Sequence, residues 1–215
     1  MNINIKIKIC GLFRSKDIDF VNSACPDYIG FVFASSRRQV SPYKAETLRS
    51  RLSNNITPIG VFVNAPIAEI AGLYNSGIIS MAQLHGTEDK EYITQLKEMC
   101  GIPVIKTIIH DSVLQSTGQW SDESMCEKSE IDLIDYILFD SGAGSGKPFN
   151  WELLDTQKIT KPWFLAGGIT LENINEAIAI NPYAIDVSSG AETDGIKDLG
   201  KILQLTNRVK NHISP

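Results

Sequence analysis

Two side chains of this 215-residue chain are best placed to move protons: a thiol and a carboxyl group, each at the end of an apolar run and each followed by a glycine-containing turn. Cys10 closes MNINIKIKIC, in which isoleucines at positions 3, 5, 7 and 9 alternate with Asn2, Asn4, Lys6, Lys8 and Cys10. That is the period-two pattern of a strand, and Gly11 lets the chain turn away just after the thiol. A reactive group at a strand end fits this pattern, and so does an antiparallel edge strand with a wetted polar face and an inert cysteine. Asp140 ends YILFD. Four apolar or aromatic residues before it partly desolvate the carboxyl group, raising its pKa and suiting it to give up a proton. An aspartate that holds a tight turn through its own backbone is the competing reading.

Other segments are suited to anions. Strand-like runs lead into LAGGIT at 165–170 and DVSSGAET at 186–193, where glycines permit close backbone approach and exposed amides can form an anion nest. Arg37 and Arg38, in ASSRRQVSP, present guanidinium groups that can clamp a carboxylate bidentately, unless they are solvated loop charges. The loop SGAGSGKP after Asp140 invites a nucleotide reading but does not fit one. Ser141 stands where a Walker loop has its first glycine, and Pro148 where it has Ser or Thr. A mobile loop over an active site suits it better.

These groups must be positioned by the elements around them. Apolar runs predict strands over 3–10, 28–34, 58–63, 81–84, 104–107, 136–140, 163–166 and 184–187. Between them apolar residues recur at spacings of three and four, the mark of amphipathic helices, with start signals at Ser41-Pro42, at Asn64 two residues before Pro66, and at Thr170. Ile196, Leu199, Leu203, Thr206 and Val209 predict a closing helix. Ile108 to Asp132 is polar and predicts a loop with one short helix. Eight strand–helix alternations with nothing left over predict a single (β/α)8 TIM barrel spanning residues 1–215, with a doubly wound open sheet as the alternative. In a barrel the isoleucines of the first strand face the helices, and Lys8 and Cys10 face the interior. Active sites of such barrels lie at the C-terminal strand ends, where Cys10 and Asp140 fall, and phosphate sites commonly follow strands seven and eight.

Composition narrows the partners. A 43% hydrophobic chain of this length can bury a sizeable core. A net charge of −5 and a pI near 5.2, with no local basic cluster, argue against nucleic acid. No apolar run of 18 residues and no signal-peptide core occur, so a soluble cytoplasmic protein is expected. Four scattered cysteines and three scattered histidines indicate neither disulfides nor a metal site. Met1 and a short polar tail fit a stand-alone chain.

Taken together, KICG at 8–11, IGFVFASSRRQVSP at 29–42, GVFVN at 60–64, QLHG at 83–86, GSGKPFNW at 144–151, LAGGI at 165–169 and DVSSGAE at 186–192 resemble phosphoribosylanthranilate isomerases. The resemblance runs in order along almost the whole chain. It implies the Amadori rearrangement of N-(5'-phosphoribosyl)anthranilate in tryptophan biosynthesis, without metal or organic cofactor, in a monomer or homodimer. By motif it implies Cys10 as general base, Asp140 as general acid and Arg38 as the contact to the anthranilate carboxylate. It further implies Gly167, Gly168, Ser188, Ser189 and Gly190 as phosphate loops, and Asp186 as a substrate-site aspartate. Because Lys8 shares the inward parity of Cys10, Lys8 and Asp186 are expected to meet inside the barrel, within about 6 Å. The chain departs from the family pattern at Ser15-Lys16-Asp17-Ile18 and at Cys25-Pro26. A histidine-pathway aminoaldose isomerase, expected to carry aspartate where this chain has Cys10, and a noncatalytic phosphosugar-binding barrel are the rival readings.

Overall fold

The computed structural model describes residues 5–109, 131–140, 151 and 156–212. Its strands are β1 (Lys6–Cys10), β2 (Tyr28–Val32), β3 (Thr57–Phe62), β4 (Met81–Leu84), β5 (Val104–Ile109), β6 (Tyr136–Asp140), β7 (Trp163–Leu165) and β8 (Ala184–Val187). All eight are parallel and pair in sequence order. β1 pairs with β8 to close the barrel, bringing Lys8 opposite Asp186. The open sheet is thereby excluded. Strand cores fall where the apolar runs predict them; β1 begins at Lys6, with residues 3 and 4 of its expected span outside the described residues, and the other edges shift by at most two residues. Ile108 and Ile109, expected in a loop, extend β5, while residues 110–130 of that expected loop and 141–150 of the glycine-rich loop lie outside the described residues.

Alternation in β1 sorts its side chains as the sequence implies. Ile5, Ile7 and Ile9 pack outward into the large cluster shared with the helices, and Lys8 and Cys10 turn inward. The N-terminal end of the interior is filled by Ile59, Met81, Ile105, Leu138, Phe164 and Ala184 against Tyr28, Tyr136 and Tyr183. The Tyr28 and Tyr183 hydroxyls are 2.8 Å apart, so this aromatic floor also satisfies its polar ends. Polar side chains therefore collect toward the C-terminal end.

Helices α1 (Ser15–Ala24), α2 (Pro42–Arg49), α3 (Ile67–Asn75), α4 (Lys90–Cys100), α5 (Ile174–Ala179) and α6 (Leu199–Lys210) cover the outside. Ser41 caps α2 by accepting from the Lys44 amide at 3.2 Å. Two expected start signals behave differently. Asn64 sits at φ +50° and its Oδ1 accepts from the Thr87 amide, bracing the loop after β4. Thr170 opens a turn ahead of α5. On α6 the buried face is Ile202, Leu205, Thr206 and Val209, while Ile196 lies in a short hairpin, β9 (Glu192–Thr193) and β10 (Ile196–Lys197), ahead of it. Both departures from the family pattern have local roles. Buried Asp17 accepts from the Phe13 and Arg14 amides at the start of α1, and Cys25 ends that helix at φ +52°. Among the described residues no helix is long and apolar enough to cross a membrane.

Candidate active site

The C-terminal mouth of the barrel opens into a cavity of about 590 Å³. Cys10, Arg38, Asp140, Gly167, Gly168, Asp186, Ser188 and Ser189 all line it, and Gly190 adjoins Ser189 behind the rim. Residues distant in sequence thus meet because each stands at or just beyond the end of its own strand.

Lys8 lies directly below Cys10 in the strand and is wholly buried. Its ammonium donates to Asp186 Oδ2 at 2.7 Å and to Gln83 Oε1 at 2.6 Å, well inside the separation expected from parity. Burial works against this charge, but Asp186 and Cys10 outweigh it and hold Lys8 above its ordinary value. Cys10 moves upward as well: burial of the thiol dominates, and the Lys8 ammonium pulls against it. The other oxygen of Asp186, Oδ1, is buried and has no hydrogen-bond partner among the described residues, in a side chain that faces the cavity.

Arg37 and Arg38 are both tied down by ion pairs, Arg38 half-buried and Arg37 still exposed along much of its side chain. Glu192, almost fully buried on β9, accepts from Arg38 Nε at 2.7 Å, Arg38 Nη2 at 3.0 Å, Arg37 Nη2 at 2.6 Å and Lys197 Nζ at 2.7 Å. Arg37 also reaches the Gly195 carbonyl at the tip of the hairpin, and Lys197 the Ser188 carbonyl. One carboxylate therefore links the loop after β2 to the loop after β8. Burial would raise Glu192, but Arg38 and Lys197 bring it down to about 2. Since this lies below its ordinary 4.5, the stabilisation is complete above pH 4.5 and fades as pH falls from there toward 2. Glu192→Gln is accordingly expected to lower unfolding free energy at pH 7 by about 2–3 kcal/mol. Urea midpoints should show that gap narrowing sharply by pH 3, and an equal gap at both pH values would contradict it.

Backbone shape completes the site. Gly167 and Gly168 have φ of +90° and +67°, a region disfavoured for other residues. At Gly190 an added Cβ would lie 1.9 Å from the Ile169 carbonyl oxygen, so the loops after β7 and β8 touch only because that position has no side chain. Gly30, on β2 beside β1, does the same for the thiol: a Cβ there would sit 2.5 Å from Cys10 Sγ. Gly30→Ala is expected to displace Cys10 and cost about tenfold in kcat with circular dichroism unchanged, and an unaltered kcat would remove Gly30 from the site.

A protein-family model described as N-(5'-phosphoribosyl)anthranilate (PRA) isomerase matches residues 7–208, the span that contains every one of these groups. The chain belongs to the phosphoribosylanthranilate isomerase family. The N-(5'-phosphoribosyl)anthranilate isomerase of Endomicrobium trichonymphae is 45% identical over 202 residues, covering 93% of this chain and 95% of that relative. A phosphoribosylanthranilate isomerase crystallised with reduced 1-(o-carboxyphenylamino)-1-deoxyribulose 5-phosphate superposes with a TM-score of 0.78 at 29% identity, covering 97% of this chain and 100% of the other. Monomers generated from the dimeric isomerase of Thermotoga maritima superpose with a TM-score of 0.76 at 29% identity, with the same coverage.

Within this isomerase family site, sequence reasoning passed over four residues. Gln83 and His85 stand in the QLHG motif that carried the resemblance, and period two from the start of β4 already turns both inward. Glu192 and Lys197 carried no local signal. Each pairs with the other across a two-residue turn, Asp194-Gly195, whose Asp-Gly pair suits a tight hairpin.

Proposed function

We propose that this chain catalyses the Amadori rearrangement of N-(5'-phosphoribosyl)anthranilate to 1-(2-carboxyphenylamino)-1-deoxyribulose 5-phosphate, with Asp140 as general acid and Cys10 as general base. The observation that carries this reading is that a carboxyl and a thiol from β6 and β1 open onto one cavity in a barrel of this family. Asp140 protonates the furanose ring oxygen as the C1–O bond breaks and the imine forms. Cys10 then takes the proton from C2, and the electron pair left behind produces an enolamine that becomes the ketone on protonation at C1 and loss of the hydroxyl proton. Each proton transfer by a positioned group is worth roughly 10²- to 10⁴-fold.

The remaining residues bind. Gly167, Gly168, Ser188, Ser189 and Gly190 receive the phosphate through loop amides and hydroxyls, and Arg38 takes the anthranilate carboxylate. The Nε and Nη2 donors of Arg38 are engaged by Glu192, while its Nη1 makes no hydrogen bond among the described residues. Asp186 neutralises Lys8 and turns its second oxygen toward the substrate. No organic cofactor or metal enters this scheme. The reaction belongs to a single cytoplasmic barrel domain acting as a monomer or homodimer, on a small phosphoribosyl substrate and not on nucleic acid or membrane.

Mixing purified protein with freshly made phosphoribosylanthranilate should abolish substrate fluorescence at an enzymatic rate, and decay no faster than the uncatalysed background would end this assignment. Arg38→Ala should raise KM about tenfold or more with a smaller change in kcat, as loss of a charge-assisted contact requires. An unchanged kcat/KM would take Arg38 out of the site.

A further inference from the structure

Across the barrel interior a line of polar side chains runs from the Cys10 side to the Asp140 side. Lys8 Nζ donates to Gln83 Oε1 at 2.6 Å, Gln83 Nε2 lies 3.3 Å from His85 Nδ1, and His85 Nε2 lies 4.0 Å from Asp140 Oδ2. Gln83 is nearly fully buried, and His85 lines the cavity one step further along the same inward face.

Donor and acceptor inventory orders this line from one end. An ammonium group only donates, so Gln83 must turn its carbonyl oxygen to Lys8 and its NH2 to His85. His85 Nδ1 is then an acceptor, and a neutral imidazole with that nitrogen accepting carries its hydrogen on Nε2. Burial pushes His85 below its ordinary value of 6.5. Asp140 from β6, Asp186 from β8 and Glu88 from the loop after β4 pull it upward, Lys8 from β1 pushes it down, and the net shift leaves the ring neutral at pH 7. Its Nε2–H faces Asp140.

We propose that Gln83 and His85 are positioning residues for the acid: Gln83, oriented by Lys8, locks His85 as the Nε2–H tautomer, and His85 donates to Asp140 Oδ2 as that side chain gives up its proton. This rests on the reading of Asp140 as general acid. In the step, the O–H bond on Asp140 Oδ1 breaks, its proton goes to the ring oxygen, and the C1–O electron pair moves onto that oxygen. The carboxylate left behind is stabilised by the His85 N–H, and His85 itself is not consumed. The proposal requires this 4.0 Å separation to close to hydrogen-bond distance as the proton leaves, since catalytic hydrogen bonds tighten in the reacting complex.

Two measurements test it together. Nitrogen-15 NMR of the histidine rings at pH 7 should find His85 as the Nε2–H tautomer in the wild type. In Gln83→Glu, whose side chain only accepts, the hydrogen should move to Nδ1 or the ring should become charged. In turnover, His85→Leu should lower kcat about 10- to 100-fold with KM changed less than about twofold. His85→Gln places an amide N–H near the position of Nε2 and should recover most of that loss. An Nδ1–H tautomer in the wild type overturns the proposal, as does equal damage from the Leu and Gln variants. Full turnover in Asp140→Asn would bring down the acid reading and this proposal with it, whereas an inactive Asp140→Asn beside a fully active His85→Leu overturns this proposal alone.

Discussion

Cys10→Ala is expected to lower kcat by at least about 100-fold while the barrel stays folded. Alanine removes a single sulfur atom from a side chain that opens onto the cavity and adds no atom against Gly30, so the barrel should keep its fold. What disappears is the group proposed to accept the C2 proton. Lys8, directly below it, is held as an ammonium by Asp186 and has no free pair with which to take the proton. KM should change little, because the carboxylate and phosphate contacts lie on other loops. Steady-state fluorescence assays beside circular dichroism would check this, and turnover near the wild-type rate in a folded variant would remove the thiol from the mechanism.

Asp140→Asn should be equally severe, about 100-fold or more in kcat, for a different reason. The carboxamide keeps the shape of the side chain at the end of β6 and can still accept from its neighbours. It holds no acidic proton, so opening of the furanose ring loses its donor. Ring opening precedes deprotonation at C2, so the double variant should be no more than slightly worse than either single one. Strictly multiplicative losses would contradict two groups serving one reaction sequence.

How far the chain could be read without coordinates varies with the kind of interaction. The barrel was legible because eight short apolar runs alternate with helical periodicity, and period two in β1 sorts Ile7 and Ile9 from Lys8 and Cys10. The Lys8–Asp186 pair was legible once the resemblance singled out Asp186 and parity turned Lys8 inward, since β1 closes against β8. The start of α5 and the buried face of α6 were less so. A hairpin of two-residue strands takes Ile196 out of the helix, and its register depends on Glu192 being held by arginines more than 150 positions away.

The strand-end positions of Cys10 and Asp140, the glycine-containing loops after β7 and β8 and the family itself were thus determined by the sequence, because residue type and strand-end position are local properties. The tertiary structure decided the rest: which arginine edge is engaged by Glu192, that Gly30 makes room for the thiol, and that Gln83 and His85 lie between Lys8 and Asp140. Those facts depend on closing a sheet of eight strands so that side chains from β1, β4 and β8 meet at hydrogen-bond distance and Asp140 at the end of β6 lies 4.0 Å from His85, a constraint that no short stretch of sequence contains.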